Sequence, residues 1–249
     1  MFAEDLELTP LPLGAEGVEV FLLDLNQLAD VEATASQVLT RAERDEYARL
    51  GHPMRRREWL GARAGLKAIL LRRGCVREAS QCEIRKDARG RPWVAFAPGV
   101  PATEIRDCSI SHTGRFACVG VSIRTDARIG VDVEEISPRL LKVAAAFAGD
   151  RQSRLGDPAA EERLAVLWAL KEACAKAMGG GVGMALRDVC CEETAEGRHR
   201  VRTGDGRELR AWHLRRDGHV IALGLGSEPN LRDGRPSSTA ADNHKRESS

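Results

Sequence analysis

Aromatic side chains are scarce, with five Phe, four Trp and one Tyr in 249 residues. A core must therefore come from Leu, Val, Ile and Ala, within an apolar content of 43%. Lysine is scarce too, six residues against thirty-two Arg. A compositional bias accounts for most of the arginines, so the few lysines are informative by their positions. Net charge is almost absent, +1 from 38 basic and 37 acidic side chains. That balance argues against a nucleic-acid coat or a polybasic membrane binder. No apolar run approaches the roughly twenty residues of a membrane span. A basic leader is missing as well, since Glu4, Asp5 and Glu7 stand where it would begin. The seven cysteines include no CxxC pair and no framework spacing. They read as reduced thiols of a cytoplasmic protein with neither nucleic acid nor membrane as partner.

Apolar patterning outlines the elements that are present. Residues 18–25 (VEVFLLDL) read as a first buried strand, 39–49 as a surface helix, and 55–73 as an amphipathic helix ended by Gly74. Strands are expected at 81–86 and 93–97 around the turn Gly90-Arg91-Pro92, then at 108–111 and 115–123 about a small polar turn. The run 129–136 follows after a short loop and is expected to pair with 115–123 as a hairpin. A helix over 140–147 and a long one over 159–178 come next, the latter running into Gly179-Gly180-Gly181. Strands are predicted at 187–192, 198–203, 208–214 and 220–225. The polar composition of 227–249 predicts a disordered tail. Strands and helices alternate twice in similar order, as two related halves would.

The segment Ile129-Gly130-Val131-Asp132-Val133-Glu134 carries the sharpest chemistry. Residues two apart on a strand share a face, so Asp132 and Glu134 project together. Two adjacent carboxylates repel unless something positive lies between them, and a hard cation such as Mg²⁺ is the usual partner. A solvated strand face with incidental acids is the alternative. On the long helix, Trp168, Glu172 and Lys176 are four apart and share one face. Glu172 is thus a third candidate acid, with Lys176 one turn on; an ordinary surface ion pair is the plainer reading. Three acids and a lysine suit phosphoryl chemistry, the metal neutralising phosphate oxygens and the lysine steadying developing charge. Spacing alone leaves an Mg²⁺-dependent phosphodiesterase equally open.

Taken in order, these motifs resemble the Sfp-type 4'-phosphopantetheinyl transferase family. The pair that carries the likeness is IGVDVE at 129–134 and WALKEACAKAMGGGVGM at 168–184. Gly90-Arg91-Pro92 corresponds to the family's G-(K/R)-P turn, and Ser111-His112-Thr113-Gly114 to its SHS/T-G turn. Arg57 falls where the family has an arginine ahead of a helix. The resemblance implies a holo-[acyl-carrier-protein] synthase that moves the phosphopantetheine arm of coenzyme A onto a serine of an acyl or peptidyl carrier protein, releasing 3',5'-ADP. The carriers implied include those of polyketide and nonribosomal-peptide biosynthesis.

By position, Asp132, Glu134 and Glu172 would hold Mg²⁺, Glu172 or a metal-held water would take the serine proton, and Lys176 would assist at the phosphate. Arg57, Arg91, Ser111 and His112 would contact CoA phosphates and the nucleotide end, where Arg forks suit anionic oxygens. One departure falls at Phe147-Ala148-Gly149-Asp150-Arg151-Gln152, where the acid of many family members is replaced and Asp150 is the candidate substitute. The expected architecture is α+β, the phosphopantetheinyl transferase fold. Its two similar α/β halves, 1–124 and 125–226, would be related by a pseudo-twofold with the active site between them. A monomer suffices for such a site. Arg139, Arg151 and Arg154 are candidates for steering an acidic carrier. A non-catalytic carrier-binding homologue is the remaining alternative.

Overall fold

The computed structural model describes residues 5–101, 103–148, 159–179 and 186–227. The first strands, β1 (Leu8–Leu11) and β2 (Val18–Asp24), form an antiparallel pair. Three helices follow: α1 (Val31–Val38), α2 (Arg41–Ala48) and α3 (Pro53–Arg72). Then come the small hairpin β3 (Cys82–Lys86) and β4 (Pro92–Phe96), and the hairpin β5 (Asp107–Thr113) and β6 (Phe116–Ser122). The second half runs β7 (Ala127–Glu135), α4 (Arg139–Phe147), α5 (Ala160–Ala177), β8 (Cys190–Ala195), β9 (Arg198–Arg202), β10 (Glu208–Arg216) and β11 (His219–Ser227).

Helix ends follow local chemistry. Asp30 caps α1 by accepting from the Ala33 amide at 2.9 Å, and Thr40 with Glu43 closes a capping box on α2. The two long helices α3 and α5 each run out at a glycine of positive φ, Gly74 (65°) and Gly179 (70°), the left-handed stop that L side chains resist. The remaining glycines of the expected triple, Gly180 and Gly181, lie outside the described residues, as do Asp150, Arg151, Gln152, Arg154 and the tail beyond Ser227.

Both halves share one wiring: a strand, a long helix, then a hairpin whose last strand returns to pair with the first. The sheet orders β1-β2-β6-β5 and β7-β11-β10-β9-β8 express it. The predicted pairing of 115–123 with 129–136 does not form. Both edges of β6 are already taken by β2 and β5, so β7 opens a new sheet and pairs with β11, Asp132 opposite Ala222. Strand β1 and helix α1 were not expected.

Side-chain alternation stacks the layers. Val18, Val20 and Leu22 of β2 meet Ile129, Val131 and Val133 of β7 and Ile221 and Leu223 of β11 in a core between the sheets. Leu23, Val119 and Val121 face α3 on the far side of the first sheet. Val220 and Ala222 face α5 on the far side of the second. The β7 residues that point toward α5 are therefore the alternate set, Gly130, Asp132 and Glu134. No helix of the described residues is long and apolar enough to cross a membrane.

Candidate active site

β5 and β7 are the facing edges of the two sheets, and an edge strand leaves every second amide unpaired. Side chains of β5 answer them. The Asp107 Oδ2 accepts from the Ile129 amide at 2.8 Å and the Ser109 hydroxyl from the Val131 amide at 3.0 Å. Ser111, the next residue on that face, donates to Asp132 Oδ1 at 2.8 Å. The period-two spacing of Asp107, Ser109 and Ser111 thus builds a seam whose last rung touches an expected metal ligand.

Close approach of α5 brings Lys176 to the same point. A Cβ on Gly130 would lie 2.0 Å from the Ala173 carbonyl oxygen, and one on Gly224 2.9 Å from the same residue. The helix therefore lies on bare backbone. Lys176 Nζ donates to Asp132 Oδ1 (2.8 Å), Ser111 Oγ (3.1 Å) and the Val131 carbonyl (3.0 Å). Those three bonds use all of an ammonium's donors. Lys176 is thus half-buried in a cluster with Asp132 and Ser111, and Glu172 one turn before it is half-buried as well.

Asp132 is buried, and among the described residues its second oxygen, Oδ2, has no hydrogen-bond partner. An orphaned buried carboxylate oxygen is costly unless a ligand meets it. Glu134 is also buried and makes an ion pair with Arg139 at the start of α4. Burial raises the Glu134 pKa against the opposing pull of Arg139, and the Asp132 charge adds to the rise. Glu172 is raised likewise, by burial first, then by Asp132 and Glu134, with Lys176 opposing. The three acids therefore share one electrostatic field. Among the described residues no three His, Cys, Asp or Glu side chains stand together as a finished metal cage. An all-oxygen donor set with one free oxygen still suits Mg²⁺, which is commonly held by one or two carboxylates with phosphate and water completing its shell.

The expected phosphate-binding residues divide. His112 points away from Ser111 and lies 3.5 Å from Glu58. Although its side chain is 40% exposed, the protein packed around the ring and the cations Lys176, Lys86, Arg63 and Arg55 push its pKa down to about 4. That positive surround favours an anionic ligand. Arg63 within it is buried on the Trp59 face, 3.3 Å from the ring centre, and burial lowers its pKa to about 10. Arg57 donates to the Leu28 carbonyl at 3.3 Å. No hydrogen bond or ion pair among the described residues joins it to Asp132, Ser111 or Lys176. The Arg91 guanidinium lies between the halves, paired with Asp107 and bonded to the carbonyls of Lys176 and, at 2.9 Å, Ile129.

Asp107, Ser109, Glu58 and the Arg139 contact were not foreseen as parts of the site. The first two are legible in DCSIS once a strand is drawn there; Glu58 carries no sequence signal.

Comparison with known proteins bears out the resemblance read from the motifs. Residues 128–224 match the family model described as the 4'-phosphopantetheinyl transferase superfamily, the stretch that holds Asp132, Glu134, Glu172 and Lys176. A curated relative, the 4'-phosphopantetheinyl transferase psf-1 of Bacillus pumilus, is 29% identical over 123 residues, 48% of this chain and 49% of that protein. The chain thus spans about half the length of the curated relative it matches. Two solved structures also align. The holo-(acyl-carrier-protein) synthase of Bacillus anthracis, in complex with CoA (3',5'-ADP), is 25% identical at a TM-score of 0.35, over 42% of this chain and 92% of that one. The holo-[acyl-carrier-protein] synthase of Thermotoga maritima is also 25% identical, at a TM-score of 0.34, over 41% and 64%.

Proposed function

We propose that this protein transfers the 4'-phosphopantetheine arm of coenzyme A to a carrier-protein serine, with Mg²⁺, as a monomer built of the halves 1–124 and 125–226. The observation that carries this reading is the Lys176–Asp132–Ser111 contact, made by one residue from each of α5, β7 and β5, with Asp132 Oδ2, unpartnered among the described residues, beside it. Asp132, Glu134 and Glu172 would hold the cation, whose charge supplies neutralisation of the pyrophosphate oxygens. The serine oxygen attacks the phosphorus next to the pantetheine arm, a new P–O bond forms, and the pyrophosphate P–O bond to 3',5'-ADP breaks. Glu172 accepts the hydroxyl proton. Lys176, loosened from Asp132, steadies the charge that develops on the phosphoryl oxygens. His112 and the cations around it hold the nucleotide phosphates, with Arg57 at the margin.

The test is to incubate the protein with CoA, Mg²⁺ and an apo carrier, then weigh the carrier by mass spectrometry. Addition of the phosphopantetheine group supports the transferase. Breakdown of CoA without it supports the phosphodiesterase, and neither supports a carrier-binding homologue. Asp132→Ala and Glu172→Ala are expected to abolish transfer. Lys176→Ala should lower turnover about 10²- to 10³-fold, as loss of one preorganised electrostatic group does; an unchanged rate would reduce it to a structural role.

A further inference from the structure

We infer that Arg91 is a positioning residue that clamps the two halves of the site together, and that it does not bind a CoA phosphate. The inference rests on the transferase reading and deepens it. Arg91 is the first residue after Gly90 and precedes β4, far along the chain from either catalytic element. Its side chain is nevertheless only 10% exposed, and that of its partner Asp107 11%. The guanidinium reaches three elements at once: the Asp107 carboxylate on β5, the Ile129 carbonyl on β7 and the Lys176 carbonyl in the last turn of α5. A guanidinium offers five donors in a rigid planar fork, so one group can fix three partners in a set arrangement.

Each partner leads to the chemistry. The Lys176 carbonyl belongs to the residue whose ammonium sits on Asp132. It lies at the negative end of the helix dipole, where a cation is favoured. Ile129 begins the stretch of β7 that carries Asp132, and the same Asp107 oxygen that pairs with Arg91 also receives the Ile129 amide at 2.8 Å. Arg91 and Asp107 together therefore fix where α5 ends against β7. A CoA phosphate would have to draw the guanidinium from a nearly buried carboxylate and two carbonyls, and would leave those acceptors unmatched. A displacement of α5 by an ångström or so moves Lys176 from its working place, and misplacement on that scale costs about 10²-fold in rate.

The test compares Arg91→Gln, Arg91→Lys and Asp107→Asn with the wild type in three measurements. Turnover and the KM for CoA are read by carrier modification, the Kd of 3',5'-ADP by calorimetry, and amide hydrogen exchange residue by residue. A clamp predicts that turnover falls about 10²-fold in Arg91→Gln and Asp107→Asn alike, with partial rescue in Arg91→Lys. The KM and the 3',5'-ADP Kd should stay within about twofold. Exchange should quicken at Ile129 and in the last turn of α5 while α3 keeps its protection. Weakening of 3',5'-ADP binding by about tenfold or more in the Arg91 variants, with Asp107→Asn normal and exchange unaltered, would overturn the inference and make Arg91 a phosphate ligand. Uniformly faster exchange across both halves would also overturn it, as a purely global stabilising role. The exchange measurement needs neither carrier nor CoA, so failure of the transferase reading leaves the clamp separately decidable.

Discussion

The two halves share a chain path and differ in which partner is pared down where helix meets sheet. In the first half the glycines are on the helix: Gly61 faces Leu25 and Gly65 faces Val119. In the second they are on the strands, with Gly130 and Gly224 beneath Ala173. The consequence is chemical. A helix with glycines can rest on bulky strands, and the α3-facing residues of the first sheet, Leu23, Val119 and Val121, are apolar. Bare strands instead let α5 lie close enough for Lys176 to reach the β7 backbone, and the flanking strand positions are free to be the acids Asp132 and Glu134. One half is packed as a scaffold, the other around polar groups that need a ligand.

The sharpest way to break this contrast is to add one methyl group to each half. Gly130→Ala forces a Cβ onto the Ala173 backbone, which cannot move without lifting α5. A loss of about 3 kcal/mol or more is expected, with loss of transfer, read by thermal melting and carrier modification. Gly65→Ala meets side-chain methyls alone, Val119 at 3.1 Å with Leu8 and Leu23 at ordinary contact distance, and gains helix propensity of up to about 1 kcal/mol. It should come out near neutral. Equal losses in the two variants would remove the distinction.

Buried lysines give the second comparison. Lys67 on α3 is fully buried, pairs with Glu43 at 2.6 Å and donates to the Val38 and Ala79 carbonyls. Glu43 also accepts from the amides of Thr40 and Ile84. Lys171 on α5 is buried as well but, among the described residues, bonds the carbonyls of Phe147 and Leu186, each at 2.8 Å, and no carboxylate, and burial lowers its pKa. Removing Lys67 strands a buried carboxylate, so Lys67→Met should cost about 3–5 kcal/mol. Lys171→Met leaves two carbonyls unmatched but also removes a desolvated ammonium, and about 1–2 kcal/mol is expected. Chemical denaturation of both variants measures the difference.

Smaller effects sharpen the picture within the site. Arg139 supplies the positive charge on Glu134 that a metal would otherwise supply. Arg139→Gln should therefore bind Mn²⁺, as a probe for Mg²⁺, several-fold more tightly by electron paramagnetic resonance titration. Weaker binding would show that Arg139 assists rather than competes. His112 gives the smallest effect. Its folded pKa of about 4 lies below the ordinary 6.5, so the folded state takes up fewer protons than the unfolded one between those values. Its contribution is complete above pH 6.5 and declines as pH falls toward 4. His112→Gln should flatten that part of the stability profile, and an unchanged slope would place the ring in ordinary solvent.

Much of this was legible in the sequence because period and chemistry coincided. IGVDVE alternates apolar and acidic residues on a strand with one face on each neighbouring layer, and Glu172 and Lys176 recur at one helical turn. The extent of both long helices was readable for the same reason, from apolar spacing closed by a glycine. The β6–β7 pairing misled because adjacency along the chain says nothing about whether an edge is already occupied. The role of Arg91 was hidden in the same way: its partners lie on β5, β7 and α5, and only the closing of both sheets gathers them. α1 went unseen because VEATASQV has little apolar periodicity and is held by its Asp30 cap.

The register of β7 against β11 has a temporal side. Synthesis proceeds from the N-terminus and domains tend to fold as they emerge. The first sheet has all its strands once β6 is made. The acid-bearing strand then waits for its ladder partner until His219–Ser227 follows, after every other described element. In that interval Asp107 and Ser109 are the groups already in place to receive its amides. The first half thus acts as a template on which the acid-bearing strand is received, and the carboxylates come into register only once β11 has been made.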